Sequence, residues 1–333
     1  MNSSFSELPR KQSGPFAIGD RVQLTGPKGK MHTLTLTPEG EFHSHRGFVR
    51  HSDLIGKEDG SVVTNSAGEE YLALRPLLRD FVMSMPRGAA IVYPKDAAQI
   101  LSLGDIFPGA SVVEAGVGSG ALSLSLLRAI GAQGSLLSIE RRAEFAEIAE
   151  HNVSAFFGSQ PPHWECAVGD FQDVAEDRCV PGSVDRIVLD MLAPWECVDV
   201  AATILRPGGL IVCYVATVTQ LSRTVEALRA SDQFTHPESS ETMVRGWHVE
   251  GLAVRPDHRM VAHTGFLTVA RRLAPNTVLP ELKRRASKSE YSAEDVEAWT
   301  PDSVGIHEKS GKALRKNVRR ARTMREQTSP GDE

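Results

Sequence analysis

Residues 112–127 read VVEAGVGSGALSLSLL: an apolar run containing Glu114, glycines at 116, 118 and 120, then apolar residues at helical spacing. The pattern is strand, tight loop, helix. Glycine accepts backbone angles that other residues resist, and it lets a ligand approach the main chain closely. The loop opens at a helix N-terminus, where N–H groups lack intrahelical partners. These are the parts of a nucleotide pocket. Read through Ala121 as G-x-G-x-x-A, the loop also satisfies a relaxed dinucleotide fingerprint, which leaves an NAD-dependent oxidoreductase open. Glu114 weighs the other way. A carboxylate meets a pyrophosphate unfavourably, but it suits the cationic amino-acid end of S-adenosylmethionine (SAM).

Working outward, further apolar runs follow at 134–140 (GSLLSIE), 163–170 (HWECAVGD), 183–190 (SVDRIVLD), 209–216 (GLIVCYVA) and 263–272 (HTGFLTVARR). Helix-like stretches alternate with most of them, which predicts βαβ units and a mostly parallel, doubly wound sheet. Glu140 closes the second strand, where a carboxylate can hold ribose hydroxyls, and Asp170 closes the third, where it can accept from an adenine amino group. The fourth strand ends in Asp190-Met191-Leu192-Ala193-Pro194-Trp195, which places Asp190 beside the donor end of such a pocket. Asp190 as a helix cap, with Trp195 in the core, is the structural alternative. Tyr93 precedes Pro94, so its backbone is extended and its ring projects at a domain junction.

Before this α/β region, residues 16–74 read as short strands broken by Gly, Pro, Asn and Asp, a small β-domain. After it, the chain loses hydrophobic periodicity from Ala274 onward and is expected to be mostly disordered. That tail carries seven Lys/Arg and no acidic residue between Lys312 and Arg325. The organisation is therefore a flexible 1–14, a β-domain at 15–90, a catalytic domain at 91–273 and a tail at 274–333.

The 333 residues are 41% hydrophobic and 24% charged, enough for a real core without staples. No apolar run reaches the length of a membrane span, and the polar N-terminus lacks a secretory h-region, so neither membrane nor export is expected. Cys166, Cys179, Cys197 and Cys213 contain no CxxC pair, so no metal site is expected and a reduced cytoplasmic compartment fits. The net charge of -5 excludes a protein that coats nucleic acid with its whole surface, but not one with a local basic patch.

The chain resembles the bacterial and archaeal tRNA (adenine-58-N1)-methyltransferases over roughly residues 15–273. The segments that carry the resemblance are IVYPKDA (91–97), VVEAGVGSGAL (112–122), LDMLAPWE (189–196), YVATVTQ (214–220), RGWHVEGLAVRP (245–256) and HTGFL (263–267). The tail lies outside it. The resemblance implies an α/β fold: a Rossmann-like, SAM-dependent methyltransferase domain with a small N-terminal β-domain, assembled as a homotetramer. It implies that the loop of Glu114, Gly116, Gly118, Gly120 and Ala121 holds the methionine part of SAM. Glu140 would hold the ribose and Asp170 the adenine side. Asp190 would border the donor and engage the target adenine, with Tyr93 and Tyr214 lining the pocket and His263 and Thr264 nearby.

A tRNA substrate needs positive charge. Residues 21–38 contain Arg21, Lys28 and Lys30 and no acid, and residues 43–51 contain Arg46, Arg50 and three histidines. These, with His263, are the expected tRNA contacts. A methyltransferase acting on protein or small molecules is one rival, and a noncatalytic RNA-binding subunit is another. The intact EAGVGSG and Asp190 argue against the latter.

Overall fold

The computed structural model describes residues 13–280 and 311–326. These fall into two units, one comprising 13–89, 147–162 and 311–326 and the other 90–146 and 163–280.

The first unit contains β1 (Arg21–Thr25), β2 (Met31–Thr35), β3 (Glu41–Ser44), β4 (Gly47–Arg50), β5 (Ser61–Thr64), β6 (Glu70–Leu74) and a short helix, α1 (Leu78–Ser84). An antiparallel sheet of order β2-β1-β6-β5 packs with the β3–β4 hairpin. Strand alternation sends Val22 and Leu24 of β1 and Tyr71 and Ala73 of β6 inward. They join Phe16, Leu36, Val49, Leu54 and Val63 in one core.

The second unit begins with α2 (Pro94–Leu103), β7 (Ser111–Ala115), α3 (Ala121–Ile130), β8 (Ser135–Glu140) and α4 (Ala143–Phe157), whose residues from 147 belong to the first unit. It continues through β9 (Trp164–Val168), α5 (Phe171–Arg178), β10 (Val184–Asp190), α6 (Val198–Ile204), β11 (Leu205–Val215) and α7 (Val218–Ala230). It closes with β12 (Glu238–Glu241), β13 (Trp247–Glu250), β14 (Ala253–Pro256) and β15 (Phe266–Arg271). A seven-stranded sheet runs β12-β15-β11-β10-β7-β8-β9, with the five strands from β11 to β9 parallel. Only β15 opposes them, pairing antiparallel with β11 on one side and with β12 on the other, so β12 runs the same way as the parallel set. The chain moves from β7 outward to β9, then returns to the other side of β7 as β10. That reversal is a topological switch point, where ligands of such sheets bind beyond the carboxyl ends of the strands. Alternate residues Val113, Ala115, Ile187, Leu189, Ile211 and Cys213 cover one face of the sheet, against Phe171, Ala175, Val198, Ala201 and Leu228.

Several elements depart from expectation. Helix α5, the hairpin β13–β14 and strand β12 had no sequence signal. Strand β11 starts at Leu205, four residues before the expected glycine, and carries a register irregularity against β10. Residues Gly311–Glu326, inside the segment expected to be mostly disordered, form a 16-residue helix, α8. Its Arg, Lys and Ala residues are strong helix formers, and Ala321 is buried. The remainder of the tail, 281–310 and 327–333, and the N-terminal 1–12 lie outside the described residues. No helix among the described residues is long and apolar enough to cross a membrane.

Candidate active site at the carboxyl ends of the parallel strands

Strand β7 delivers the chain into a left-handed turn, with φ of +86° at Gly116, +57° at Gly118 and +79° at Gly120, before α3 starts at Ala121. Gly116 has a second reason to be glycine. A Cβ there would lie 1.8 Å from the Asp190 carbonyl oxygen, so the loop runs directly against the end of β10.

Glu114 lies on the opposite face of β7 from the Val113–Ala115 core. Its Oε2 accepts from Ser123 Oγ of α3 at 2.6 Å and from Ser138 Oγ of β8 at 2.7 Å. Trp164 Nε1 donates to Ser138 Oγ at 2.9 Å and so orients that hydroxyl. Among the described residues, the Oε1 atom is buried without a hydrogen-bond partner. Burial pushes the carboxyl up to about 7, opposed by the two serine hydroxyls and reinforced by Glu140. An unsatisfied buried acceptor costs roughly 1–3 kcal/mol, which a cationic ligand group can offset. The residues present therefore fit a ligand with an ammonium end.

Glu140, the last residue of β8, is buried and supports the same loop: its Oε2 accepts from Gly118 N at 2.9 Å and its Oε1 from Arg142 N at 3.1 Å. An ionised carboxylate has about four acceptor positions, so these bonds leave capacity for a ribose hydroxyl. Asp170 stands where α5 begins and pairs with Arg141 Nε at 2.5 Å, its side chain half-exposed.

Asp190 ends β10, and its register partner across the ladder is Tyr214 of β11. Among the described residues its carboxylate has no hydrogen-bond or ion-pair partner. Burial pushes this carboxyl up to about 7, and the charges of Glu114 and Glu140 add to the shift. Three carboxyl groups thus share one field at the switch point. Tyr214 donates its hydroxyl to Asp96 Oδ2 at 3.2 Å. Burial raises its pKa further above the ordinary phenol range, so it stays protonated.

The seat of Tyr214 is built by two segments far apart in sequence. Asp96, buried in the first turn of α2, also accepts from Lys95 Nζ at 2.7 Å and from Thr264 Oγ1 at 2.5 Å. Lys95 Nζ reaches Thr264 Oγ1 and the Thr242 carbonyl, each at 2.6 Å. A Cβ on Gly265 would come within 2.4 Å of Tyr214 Cζ, so the glycine leaves room for the ring. Tyr93 caps the start of α2 with extended backbone, φ -69° and ψ 151°, and is partly exposed. His263 lies just before Thr264, with Nε2 2.9 Å from the Ala216 carbonyl and Nδ1 3.1 Å from Glu241 Oε2. Both partners are acceptors, so making both bonds requires the imidazolium, and these same two partners raise the pKa of the ring.

Residues 14–63 match the family model described as TrmI-like N-terminal, and residues 72–253 match that of the tRNA methyltransferase complex GCD14 subunit. The tRNA (adenine(58)-N(1))-methyltransferase TrmI of Thermus thermophilus is 34% identical over 263 residues, covering 78% of this chain and 97% of that protein. The chain belongs to the tRNA (adenine-58-N1)-methyltransferase family. The Methanocaldococcus jannaschii relative, named a tRNA (adenine(57)-N(1)/adenine(58)-N(1))-methyltransferase, is 30% identical over 272 residues, 74% of this chain and 93% of that one. A solved structure described as a SAM-dependent O-methyltransferase from Thermotoga maritima superposes with a TM-score of 0.72 at 31% identity, covering 79% of this chain and 96% of the other.

For a member of this tRNA methyltransferase family, the basic residues expected to meet RNA sit in unequal surroundings. Lys28 and Lys30 are exposed in the turn between β1 and β2. Arg46 is paired with Glu69 at 2.9 Å, and Arg50 lies 3.7 Å from Glu41. The guanidinium of Arg21 stacks 4.4 Å from the centre of the Phe81 ring. Of the three histidines in 43–51, His51 is buried: its Nδ1 accepts from Thr37 N at 3.0 Å, and burial lowers its pKa.

Sequence reasoning missed Ser123 and Ser138, the donors to Glu114, and the Lys95–Asp96 pair that holds Tyr214. Ser123 and Ser138 had a usable signal: each interrupts an apolar element, ALSLSLL and SLLSIE, next to a strand carrying a buried acid.

Proposed function

We propose that this chain transfers a methyl group from SAM to N1 of adenine 58 in the T-loop of tRNA. The observation that carries the reading is Asp190: a carboxylate without a partner among the described residues, at the switch point, touching the glycine loop through its backbone and aligned with Tyr214. SAM, when bound, supplies an electrophilic methyl group on a sulfonium. The chain's own residues do the rest. The glycine loop and Glu114 hold the amino-acid end, Glu140 the ribose and Asp170 the adenine side.

Adenine N1 carries an in-plane lone pair and needs no general base. Orientation is then the main task, and a carboxylate accepting from the exocyclic amino group provides it. Positive charge develops on the ring as N1 becomes methylated, and the same carboxylate stabilises that charge. An oxygen acceptor would need a base to remove its proton. The phenol of Tyr214, raised in pKa and donating to Asp96, is poorly suited to that. Reaching adenine 58 requires the base to leave its stack, and Tyr93 and Tyr214 supply rings for it to stack on. N1 methylation blocks Watson–Crick pairing, so primer extension on a treated tRNA transcript is expected to stop next to position 58. A stop elsewhere, or none, rejects the assignment.

The carboxyl cluster gives this reading a pH signature. In the unfolded chain these acids ionise near pH 4, whereas folded Glu114 and Asp190 ionise at about 7. Between those values the folded state holds more protons, so stability of the ligand-free protein falls as pH rises. A cationic ligand favours the ionised acids. SAM affinity should therefore rise through about pH 7, and binding should release protons. Titration calorimetry at pH 6.5 in two buffers of different ionisation enthalpy checks the sign; proton uptake contradicts it.

The homotetramer and cytoplasmic location implied by the resemblance belong to the same proposal. None of the four cysteines is in a disulfide among the described residues, which supports a reducing compartment. The hairpin β13–β14 exposes Trp247, Val249, Leu252 and Val254, an apolar strip that self-association would cover. Leu252→Glu combined with Val254→Glu is expected to lower the mass in solution, measured by light scattering. An unchanged mass rejects the role of the hairpin.

A further inference from the structure

Helix α8 places the basic residues of the C-terminal segment on one face. At about 100° per residue, Arg315, Lys316, Arg319, Arg320 and Thr323 fall within an arc of roughly 140°. All five are exposed. Ala321 and the half-buried Val318 point the opposite way. Arg322, at the edge of the arc, is ion-paired with Glu147 of α4. A buried alanine and a cross-helix ion pair hold the helix, so the basic face is presented by a docked element and not by a loose tail. Among the described residues, Lys316, Arg319 and Arg320 have no carboxylate partner.

The charge distribution gives this face a purpose. The proposed substrate is a polyanion, and phosphate contacts supply much of the affinity for nucleic acid. The β-domain offers fewer uncompensated cations than its sequence promises. Arg46 and Arg50 face Glu69 and Glu41, and Arg21 is stacked on Phe81. Lys28 and Lys30 remain, in the same unit as α8. Among the described residues, three cations without a carboxylate partner share this one helix face in a chain of net charge -5.

We propose that the face of Lys316, Arg319 and Arg320 on α8 binds phosphates of the substrate tRNA, adding a contact surface beyond the matched region of the family. The inference rests on the tRNA methyltransferase reading and extends its interface. Contact with phosphates fixes position without reading sequence, so α8 raises affinity and leaves the choice of base to the active site.

The test is the full-length variant K316Q/R319Q/R320Q, with tRNA affinity measured at several salt concentrations beside SAM affinity and kcat at saturating tRNA. Loss of three phosphate contacts should weaken tRNA binding roughly 10–100-fold near 0.15 M salt and make the slope of log K against log salt shallower by roughly 2 to 3. SAM affinity and kcat at saturation should not change. As a second variant, Ala321→Asp places a charge in the buried contact and should weaken tRNA binding by undocking the helix. If wild type binds and methylates tRNA while the triple variant keeps its affinity and salt slope, the helix proposal is overturned and the family reading stands; the face would then suit an acidic protein partner. A wild-type chain that neither binds nor methylates tRNA overturns both.

Discussion

Asp190→Ala lowers kcat by roughly 10²–10³-fold while SAM still binds, the loss typical of removing one oriented electrostatic group from a reacting centre. The expectation follows from what surrounds the carboxylate. It makes no hydrogen bond within the described structure, so its removal leaves no protein donor orphaned and should cost little stability. It shares its field with Glu114 and Glu140, so its loss also eases their mutual repulsion. The glycine loop keeps its own support, because Glu140 accepts from Gly118 N and Ser123 and Ser138 hold Glu114. The defect should therefore appear in single-turnover methyl transfer and not in SAM binding. Asp190→Asn can still accept from an amino group but lacks the charge, and should fall between wild type and alanine. Wild-type turnover in Asp190→Ala would remove Asp190 from the mechanism.

Gly116→Ala should be more damaging, and in a different way. The residue has φ +86°, and the new Cβ would sit 1.8 Å from the Asp190 oxygen and 2.7 Å from its carbonyl carbon. Those atoms are backbone, so no side-chain rotation relieves the clash. Either the glycine loop or the end of β10 must move, and both carry residues of the proposed site. A loss of about 2–4 kcal/mol in stability is expected, with SAM affinity reduced on the order of 100-fold. Gly109→Ala is the control. Its φ is +91°, but an added Cβ would meet nothing within 4 Å, so it bears only the backbone strain of roughly 1–2 kcal/mol. Thermal unfolding and SAM titration of the two variants separate strain from collision. Equal behaviour would mean that the loop does not depend on its contact with β10.

The parts of the fold readable from sequence are those where local pattern and tertiary role coincide. Four parallel strands carry an acid at or just past their carboxyl ends, Glu114, Glu140, Asp170 and Asp190, so a largely apolar run ending in an acid marks the same edge of the sheet each time. Strand β12 left no trace because all four of its residues, ESSE, are exposed. It exists through pairing with β15. Helix α5 is eight residues long and buries only Phe171 and Ala175, too few to establish a period. Helix α8 was hidden by its charge: its inward face is narrow and its outward face reads like a soluble tail. The network around Tyr214 had no local signal, since Asp96 and Thr264 come from positions 118 and 50 residues away and meet only in the folded chain. The expected contribution of Arg46 and Arg50 to RNA binding shows the opposite limit. A run without acids in sequence can still meet acids in space, here Glu69 and Glu41.

The most direct test of adenine 58 as the target compares methyl transfer from labelled SAM to a tRNA transcript with adenine at position 58 and to the same transcript with that base replaced. Robust incorporation into the first and background incorporation into the second is the predicted result. Equal incorporation into both, or none into either with SAM bound, would contradict it.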